Sequence, residues 1–147
     1  MTTITIGKLE AAQRQLRTAI TLWFDDGDAV SVHTLAFAAY EIFHAVSEHR
    51  DPYRRDLLFD TLLIKDEFRR DWNKLVRREA NFFKHGDRDA EAVIDFDPDL
   101  SEWFILYAIV ARQLLIIRRA TASTTCRPSS SRSTSTRKLL WVIGGTS

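Results

Sequence analysis

Cysteine, proline and glycine are scarce in this 147-residue chain, which has one Cys, three Pro and five Gly. The single cysteine, Cys126, excludes an internal disulfide and a zinc site built from several cysteines, so a reducing cytoplasm is the expected compartment. Few Gly and Pro residues leave few turns, and no long run alternates β-branched with polar residues. The sequence therefore predicts an all-α fold.

No segment is predicted to cross a membrane. Residues 1–7 lack the basic and then apolar organisation of a signal peptide. The most apolar stretch, from Trp103 to Ile117, contains Arg112 and Gln113 and falls short of the roughly 18 uninterrupted apolar residues that a membrane span needs. We expect this stretch to be a buried helix, and we expect no membrane partner.

Charge is distributed unevenly along the chain. The formal net charge is +1, yet seven basic and no acidic residues lie from Arg112 onward, which leaves residues 1–111 with a net charge of −6. A polyanion is therefore not expected to bind the folded part indiscriminately. Any nucleic-acid contact must come from a local basic patch or from the C-terminal segment.

Apolar residues at three- and four-residue steps predict a helical bundle over residues 5–119, with four long helices and one short helix in an up-and-down arrangement. Gly27 is expected to end the first helix in a left-handed conformation. The last helix is apolar nearly all round and is expected to lie at the centre. The first predicted helix runs from about residue 5 to 25, and the second from a cap at Asp28 or Ser31 to about 48. A short third helix begins at Asp51-Pro52 and extends through Leu63. The last two run from about 66 to 85 and from Asp97-Pro98 to about 119.

The C-terminal segment differs in composition from the rest. Eleven of the 17 residues from Thr121 to Arg137 are Ser or Thr, without an apolar period. Such a segment cannot bury enough apolar surface to offset the entropy lost on ordering. We expect residues 120–147 to form a disordered low-complexity tail, and the abrupt change suggests a truncated or frame-shifted C-terminus.

A polar cluster on the predicted helix 66–85 could carry chemistry. Arg78, Asn81 and His85 are spaced by three and four residues, so they share one helix face. A histidine can transfer the proton of a 2′-hydroxyl or of a leaving group, and an arginine can stabilise the extra charge on the phosphorane-like transition state of RNA cleavage. No metal or other cofactor is needed for this reaction.

The same helix also carries an excess of basic residues. Seven Lys and Arg against four acids lie between Lys65 and His85, a local net charge of +3. Three of these basic residues are close to the Arg78–His85 pair in sequence. We expect substrate binding by Asn81 together with Lys74, Arg77 and Lys84.

The segment from Arg78 to His85, with six intervening residues, resembles the Arg-x4–6-His motif of the HEPN superfamily. Members of that family are small, often dimeric helical bundles, and many are metal-independent ribonucleases of toxin–antitoxin and defence systems. The resemblance implies an RNA- or nucleotide-binding domain in which His85 is the acid/base and Arg78 binds the scissile phosphate. It also implies that two copies meet in a homodimer. Glu79 stands where the family usually has Asn, Asp or His. Residues 81–89, NFFKHGDRD, also resemble a segment of an uncharacterised bacterial family, which implies no function.

Three alternatives accompany this hypothesis. The first is a non-catalytic helical interaction module that binds a cognate protein partner; in that case Arg78 and His85 would only stabilise the C-terminus of their helix. The second is a metal site, suggested by the Glu-x-x-His spacing of Glu41 and His44, but no second copy of that motif exists and no metal is expected. The third is a small-ligand bundle.

Other conspicuous residues are expected to be structural. His33 is expected to be a partly buried histidine with a hydrogen-bond partner, and His44, Glu48 and His49 a solvated face. The aromatic side chains are expected to pack in the core rather than to stack on bases. These aromatic residues are Trp23, Trp72, Phe82, Phe83 and Trp103.

Overall fold

The computed structural model describes residues 2–51, 53, 57–86 and 90–125, with the backbone alone for residues 119–125. These residues contain helices and no strand, which confirms the all-α prediction. Three helices are long and two are short, whereas the sequence predicted four long ones. The helices are α1 (Lys8–Phe24), α2 (Ala29–Arg50), α3 (Arg69–Val76), α4 (Arg78–Lys84) and α5 (Leu100–Thr125), with a 3₁₀ turn at Asp66–Phe68.

Helix α2 lies at the centre of the fold, between α1 and α5. It buries residues on several sides, among them Phe37, Tyr40 and Phe43, each at most 1% exposed. The small residues Ala36 and Ala39 are fully buried, and small side chains let neighbouring helices approach closely. The prediction that the last helix is central was wrong, because α5 packs mainly on α2 and leaves much of its apolar surface exposed.

The connection between α1 and α2 is held by local hydrogen bonds. Asp28 caps α2, since its Oδ2 atom accepts a hydrogen bond of 2.7 Å from the Ser31 amide. The left-handed residue is Asp26, with φ 50°, and not Gly27 as predicted. Gly27 is instead required by close approach, because a Cβ atom there would lie 2.9 Å from the Leu22 carbonyl oxygen.

The short helix predicted after Asp51 is not found among the described residues 57–65, which form turns and bends. Leu58 and Phe59 are buried, but Leu62 and Leu63 are 78% and 90% exposed. Side chains, and not the backbone amides of a helix, donate hydrogen bonds to the carbonyl groups of this segment. Trp72 donates to the Leu58 carbonyl at 2.8 Å, and Arg69 donates to those of Phe59, Thr61 and Ile64 at 3.1–3.4 Å. Pro52 and residues 54–56 lie outside the described residues.

The single long helix predicted over residues 66–85 is broken at Arg77, where α3 ends and α4 begins. Arg77 has φ −92° and ψ 0°, and its side chain makes tertiary contacts. Its guanidinium lies 4.0 Å from the centre of the Phe59 ring and 3.4 Å from a carboxylate oxygen of Glu41. The break changes which side chains are buried, since Phe68 and Leu75 are exposed while Val76, Glu79 and Ala80 are buried.

Helix α5 continues to Thr125, past the predicted end at Arg119, so its backbone includes the first residues of the predicted tail. Residues 126–147 lie outside the described residues. Two segments, Ala29–Arg50 and Leu100–Arg118, are each long and apolar enough to cross a membrane by length and composition, a criterion that the core helices of globular proteins also meet. The segment Leu100–Arg118 is longer than the apolar stretch from Trp103 to Ile117, which the sequence analysis considered too short to span a membrane.

Candidate functional site

A concavity of about 610 Å³ lies between α4 and the segment 90–94, which precedes α5. The predicted pair, Arg78 and His85, lines this concavity together with Asn81; Arg78 and Asn81 lie on α4, and His85 directly follows its last residue. The segment 90–94 forms the opposite wall. The described lining residues are Arg78, Asn81, Phe82, His85, Gly86, Ala90, Ala92 and Ile94. Asp87, Arg88 and Asp89, the end of the NFFKHGDRD segment, lie outside the described residues.

Two contacts hold the Arg78 side chain at the edge of the concavity. Its Nη2 atom lies 3.0 Å from Oε1 of Glu79 and donates to the Asp95 carbonyl oxygen at 3.4 Å. The side chain remains 54% exposed, whereas that of Glu79 is only 10% exposed. Glu79 does not line the concavity among the described residues; it lies buried beside Arg78. The guanidinium therefore keeps exposed donors that can reach a phosphate.

The segment that forms the second wall is anchored by Phe96. This ring makes edge contacts with the rings of Phe83 and His33, each at a centroid distance of 5.1 Å. Partial burial alternates along the segment, so that Ala92, Ile94 and Phe96 face inward while Val93 and Asp95 are exposed. The alternation of apolar and polar residues over 92–96 is a sequence signal for an extended segment at this wall, although no strand forms there.

The basic side chains predicted to bind substrate do not all lie at the concavity. Arg77 and Lys84 both bind the Glu41 carboxylate, at 3.4 Å and 3.1 Å, and so they connect α2 to the α3–α4 region. Lys74 is exposed on α3 and is not among the described residues that line the concavity. Of the predicted site, Arg78, Asn81 and His85 are brought together, and the other three basic residues are elsewhere. Glu41, of the Glu-x-x-His pattern, is engaged by these two cations.

Phe82 is a site residue that sequence reasoning assigned to the core. It lines the concavity and is 36% exposed, so part of the ring is accessible beside Asn81 and His85. The prediction of core packing was also wrong for Trp23 and Trp103, which are 40% and 56% exposed. Helical spacing alone did not separate these positions from buried ones, because the apolar surface of this chain exceeds what its core covers.

His33 is completely buried beneath the site, and not partly buried as predicted. Its ring contacts those of Phe37, Phe83, Phe96 and Phe104, and its Nδ1 atom lies 3.5 Å from the Ser101 hydroxyl oxygen. Nε2 has no hydrogen-bond partner among the described residues. Burial lowers the pKa of His33 below its ordinary value of 6.5, and the negative charge of Glu79 opposes that shift.

This buried histidine predicts a pH-dependent stability. Below pH 6.5 the unfolded chain binds a proton that the folded chain does not, so the free energy of unfolding should decrease as the pH falls from 6.5 toward the lowered pKa. His33→Gln should reduce that decrease, as measured by urea unfolding at about pH 7.5 and pH 5.5. His49→Gln, at the exposed end of α2, should keep the wild-type dependence. If the free energy of unfolding depended on pH in the same way in all three proteins, this role of His33 would be ruled out.

No family model matches the sequence, and neither a curated protein nor a solved structure is similar to it.

Proposed function

We propose that the concavity binds RNA and that Arg78 and His85 cleave it without a metal ion. The observation that carries this proposal is that Arg78, Asn81 and His85 line one open concavity. A guanidinium and an amide can bind a phosphodiester, and an imidazole can transfer the protons of the attacking hydroxyl and the leaving oxygen. The resemblance of the Arg78–His85 spacing to the HEPN motif supports the same function.

The proposed reaction is an internal transesterification. The 2′-oxygen of a ribose attacks the adjacent phosphorus, the bond from phosphorus to the 5′-oxygen breaks, and a 2′,3′-cyclic phosphate and a 5′-hydroxyl result. His85 moves one of the two protons, either from the attacking 2′-hydroxyl or to the leaving 5′-oxygen. Arg78 donates to the non-bridging oxygens, which carry the developing negative charge. A second acid/base would come from a second copy of the chain, as in the dimers that the family resemblance implies.

One further feature supports a single-stranded RNA ligand. The Phe82 ring lies beside the polar groups, and a base can stack on an aromatic face, for about 1–3 kcal/mol per base. The acidic net charge of residues 1–111, in contrast, disfavours indiscriminate binding of polyanions, so this local site has to supply the affinity for RNA. The proposal places the protein in the cytoplasm as a toxin–antitoxin or defence component.

Substituting Arg78 tests the binding part of the proposal. Arg78→Ala should weaken binding of a short oligoribonucleotide about 10- to 100-fold, because it removes charge-assisted hydrogen bonds to phosphate. Fluorescence anisotropy at low, fixed salt measures this change. Arg70→Ala is the matched control, since Arg70 is an exposed arginine of α3 outside the lining of the concavity. Equal affinities for the two variants would contradict the proposed site.

A second candidate function is a non-catalytic module that binds a cognate protein. The observation that favours it is an exposed apolar surface where α1 meets α5, formed by Trp23, Trp103, Leu106 and Ile109, each 37–56% exposed. Contiguous apolar surface of this kind is typical of protein interfaces. This candidate predicts that Arg78→Ala leaves RNA binding unchanged, so the anisotropy experiment separates the two functions.

A further inference from the structure

Outside the proposed RNA site, one group of side chains has the composition of a metal site. His44 and Glu48 lie one turn apart on α2, with His44 Nε2 3.9 Å from Glu48 Oε2. Asp60, from the segment after α2, completes the group, and one ligand atom from each residue lies within 4.8 Å of the others. None of the three residues lines the concavity described above.

Packing orders His44. Its ring is stacked on Tyr40 at a centroid distance of 6.3 Å and meets the edge of Phe59 at 5.0 Å. The side chain is only 13% exposed, so the surrounding rings restrict its rotamers. An imidazole in a fixed orientation loses little conformational entropy when it binds an ion.

The backbone that carries Asp60 is also fixed. Phe59 and Thr61, the residues on either side, are buried, and their carbonyl oxygens accept hydrogen bonds from the Arg69 guanidinium at 3.4 Å and 3.1 Å. The Phe59 ring also packs on Tyr40 and His44 of α2, so the backbone beside Asp60 is held against that helix. Glu48 differs, because its side chain is 65% exposed and can move toward an ion.

The three ligand atoms, which lie within 4.8 Å of one another, have to move closer together to bind a small divalent transition metal. Ligand bonds of about 2.0–2.2 Å in a tetrahedral zinc site place ligand atoms roughly 3.3–3.6 Å apart. The observed 3.9 Å between His44 and Glu48 requires a shift of a few tenths of an ångström, and the mobile Glu48 side chain can supply it. One imidazole and two carboxylates also match the ligands that Zn²⁺ accepts, with a fourth position for water.

We infer that His44, Glu48 and Asp60 bind a divalent transition metal such as Zn²⁺. The ion connects α2 to the segment 57–61, which is not helical. Its binding raises the thermal stability of the protein, because only the folded chain brings the three ligands together. This site is independent of the proposed RNA cleavage, which takes place in chelator.

Calorimetric titration of chelator-treated, tag-free protein with zinc chloride tests the inference. The wild type should bind one equivalent of Zn²⁺ and should unfold at a higher temperature with zinc present. Glu48→Gln and Asp60→Asn should each weaken binding at least about tenfold, as expected for the loss of a ligand. Because Glu48 is exposed, its substitution leaves the fold intact.

His49→Gln is the matched control, since His49 lies on the same helix near its exposed end and outside the ligand group. It should bind zinc as the wild type does. Absence of zinc binding by the wild type would overturn the inference. Equal affinities of Glu48→Gln and His49→Gln would also overturn it, because zinc would then be held by scattered surface groups.

Discussion

His85→Ala is expected to lower the rate of RNA cleavage by about 10²- to 10⁴-fold, the usual contribution of a general acid or base. The free energy of unfolding should change by no more than about 1 kcal/mol, because His85 is exposed and follows the last residue of a short helix. RNA binding should be retained, since Arg78 and Asn81 remain. Single-turnover cleavage of a labelled oligoribonucleotide in EDTA measures the rate, and urea unfolding measures the stability.

The matched control for this variant is His49→Ala. His49 lies in the last turn of α2, so it shares with His85 an exposed position near a helix C-terminus. Its substitution should leave cleavage unchanged. An unchanged rate in His85→Ala, or the same loss in both variants, would show that the imidazole of His85 does not take part in the reaction.

Phe37→Ala is expected to destabilise the protein by about 3–5 kcal/mol, the range measured for buried phenylalanines. Phe37 is completely buried on the central helix α2, and its ring contacts those of Phe59 and Phe104 at centroid distances of 6.2 Å and 5.0 Å. Removing the ring would leave a cavity between α2, α5 and the segment 57–65. Such a loss is a large part of the stability of a small domain.

Phe24→Ala provides the comparison, because Phe24 is the last residue of α1 and is 74% exposed. This substitution should lower the free energy of unfolding by less than about 1 kcal/mol. Urea unfolding followed by tryptophan fluorescence and circular dichroism gives both values. If the two substitutions cost the same free energy, the arrangement of the helices around α2 would be wrong.

The existence of the long helices could be predicted from periodicity. Apolar positions such as Ala12 and Leu16 recur at a four-residue step, and α1 buries both of them. Periodicity did not predict that α2 lies at the centre of the fold. An apolar surface all round a helix predicts burial, yet α5 has such a surface and exposes part of it. Periodicity describes one helix, whereas position depends on how several helices share a core.

The region between α2 and α4 was predicted least well, and the reason is tertiary hydrogen bonding. Arg69 and Trp72 bind carbonyl groups of the segment 57–65 that a helix would otherwise use. Arg77, where the predicted helix breaks, is neither Gly nor Pro, so no local signal marks the position. Its contacts with Glu41 and Phe59 join residues far apart in the chain.

The grouping of Arg78 and Asn81 could be predicted because helical spacing places them on one face, and His85 directly follows the last residue of that helix. The position of the second wall could not be predicted without the fold, since the contacts of Phe96 with Phe83 and His33 bring the adjoining segment 90–94 against α4. The position of Glu79 also depends on the fold. Directly after Arg78 it could have occupied the phosphate site, and it lies buried beside the guanidinium instead.

Analysis of the products of RNA cleavage tests the central claim most directly. Purified wild-type protein should cleave a single-stranded oligoribonucleotide in the presence of excess EDTA and leave 2′,3′-cyclic phosphate and 5′-hydroxyl ends. The same sequence made with 2′-deoxyribose should stay intact, because it lacks the attacking hydroxyl. Intact RNA after prolonged incubation, or cleavage that stops when EDTA is added, would contradict a metal-independent site formed by Arg78 and His85.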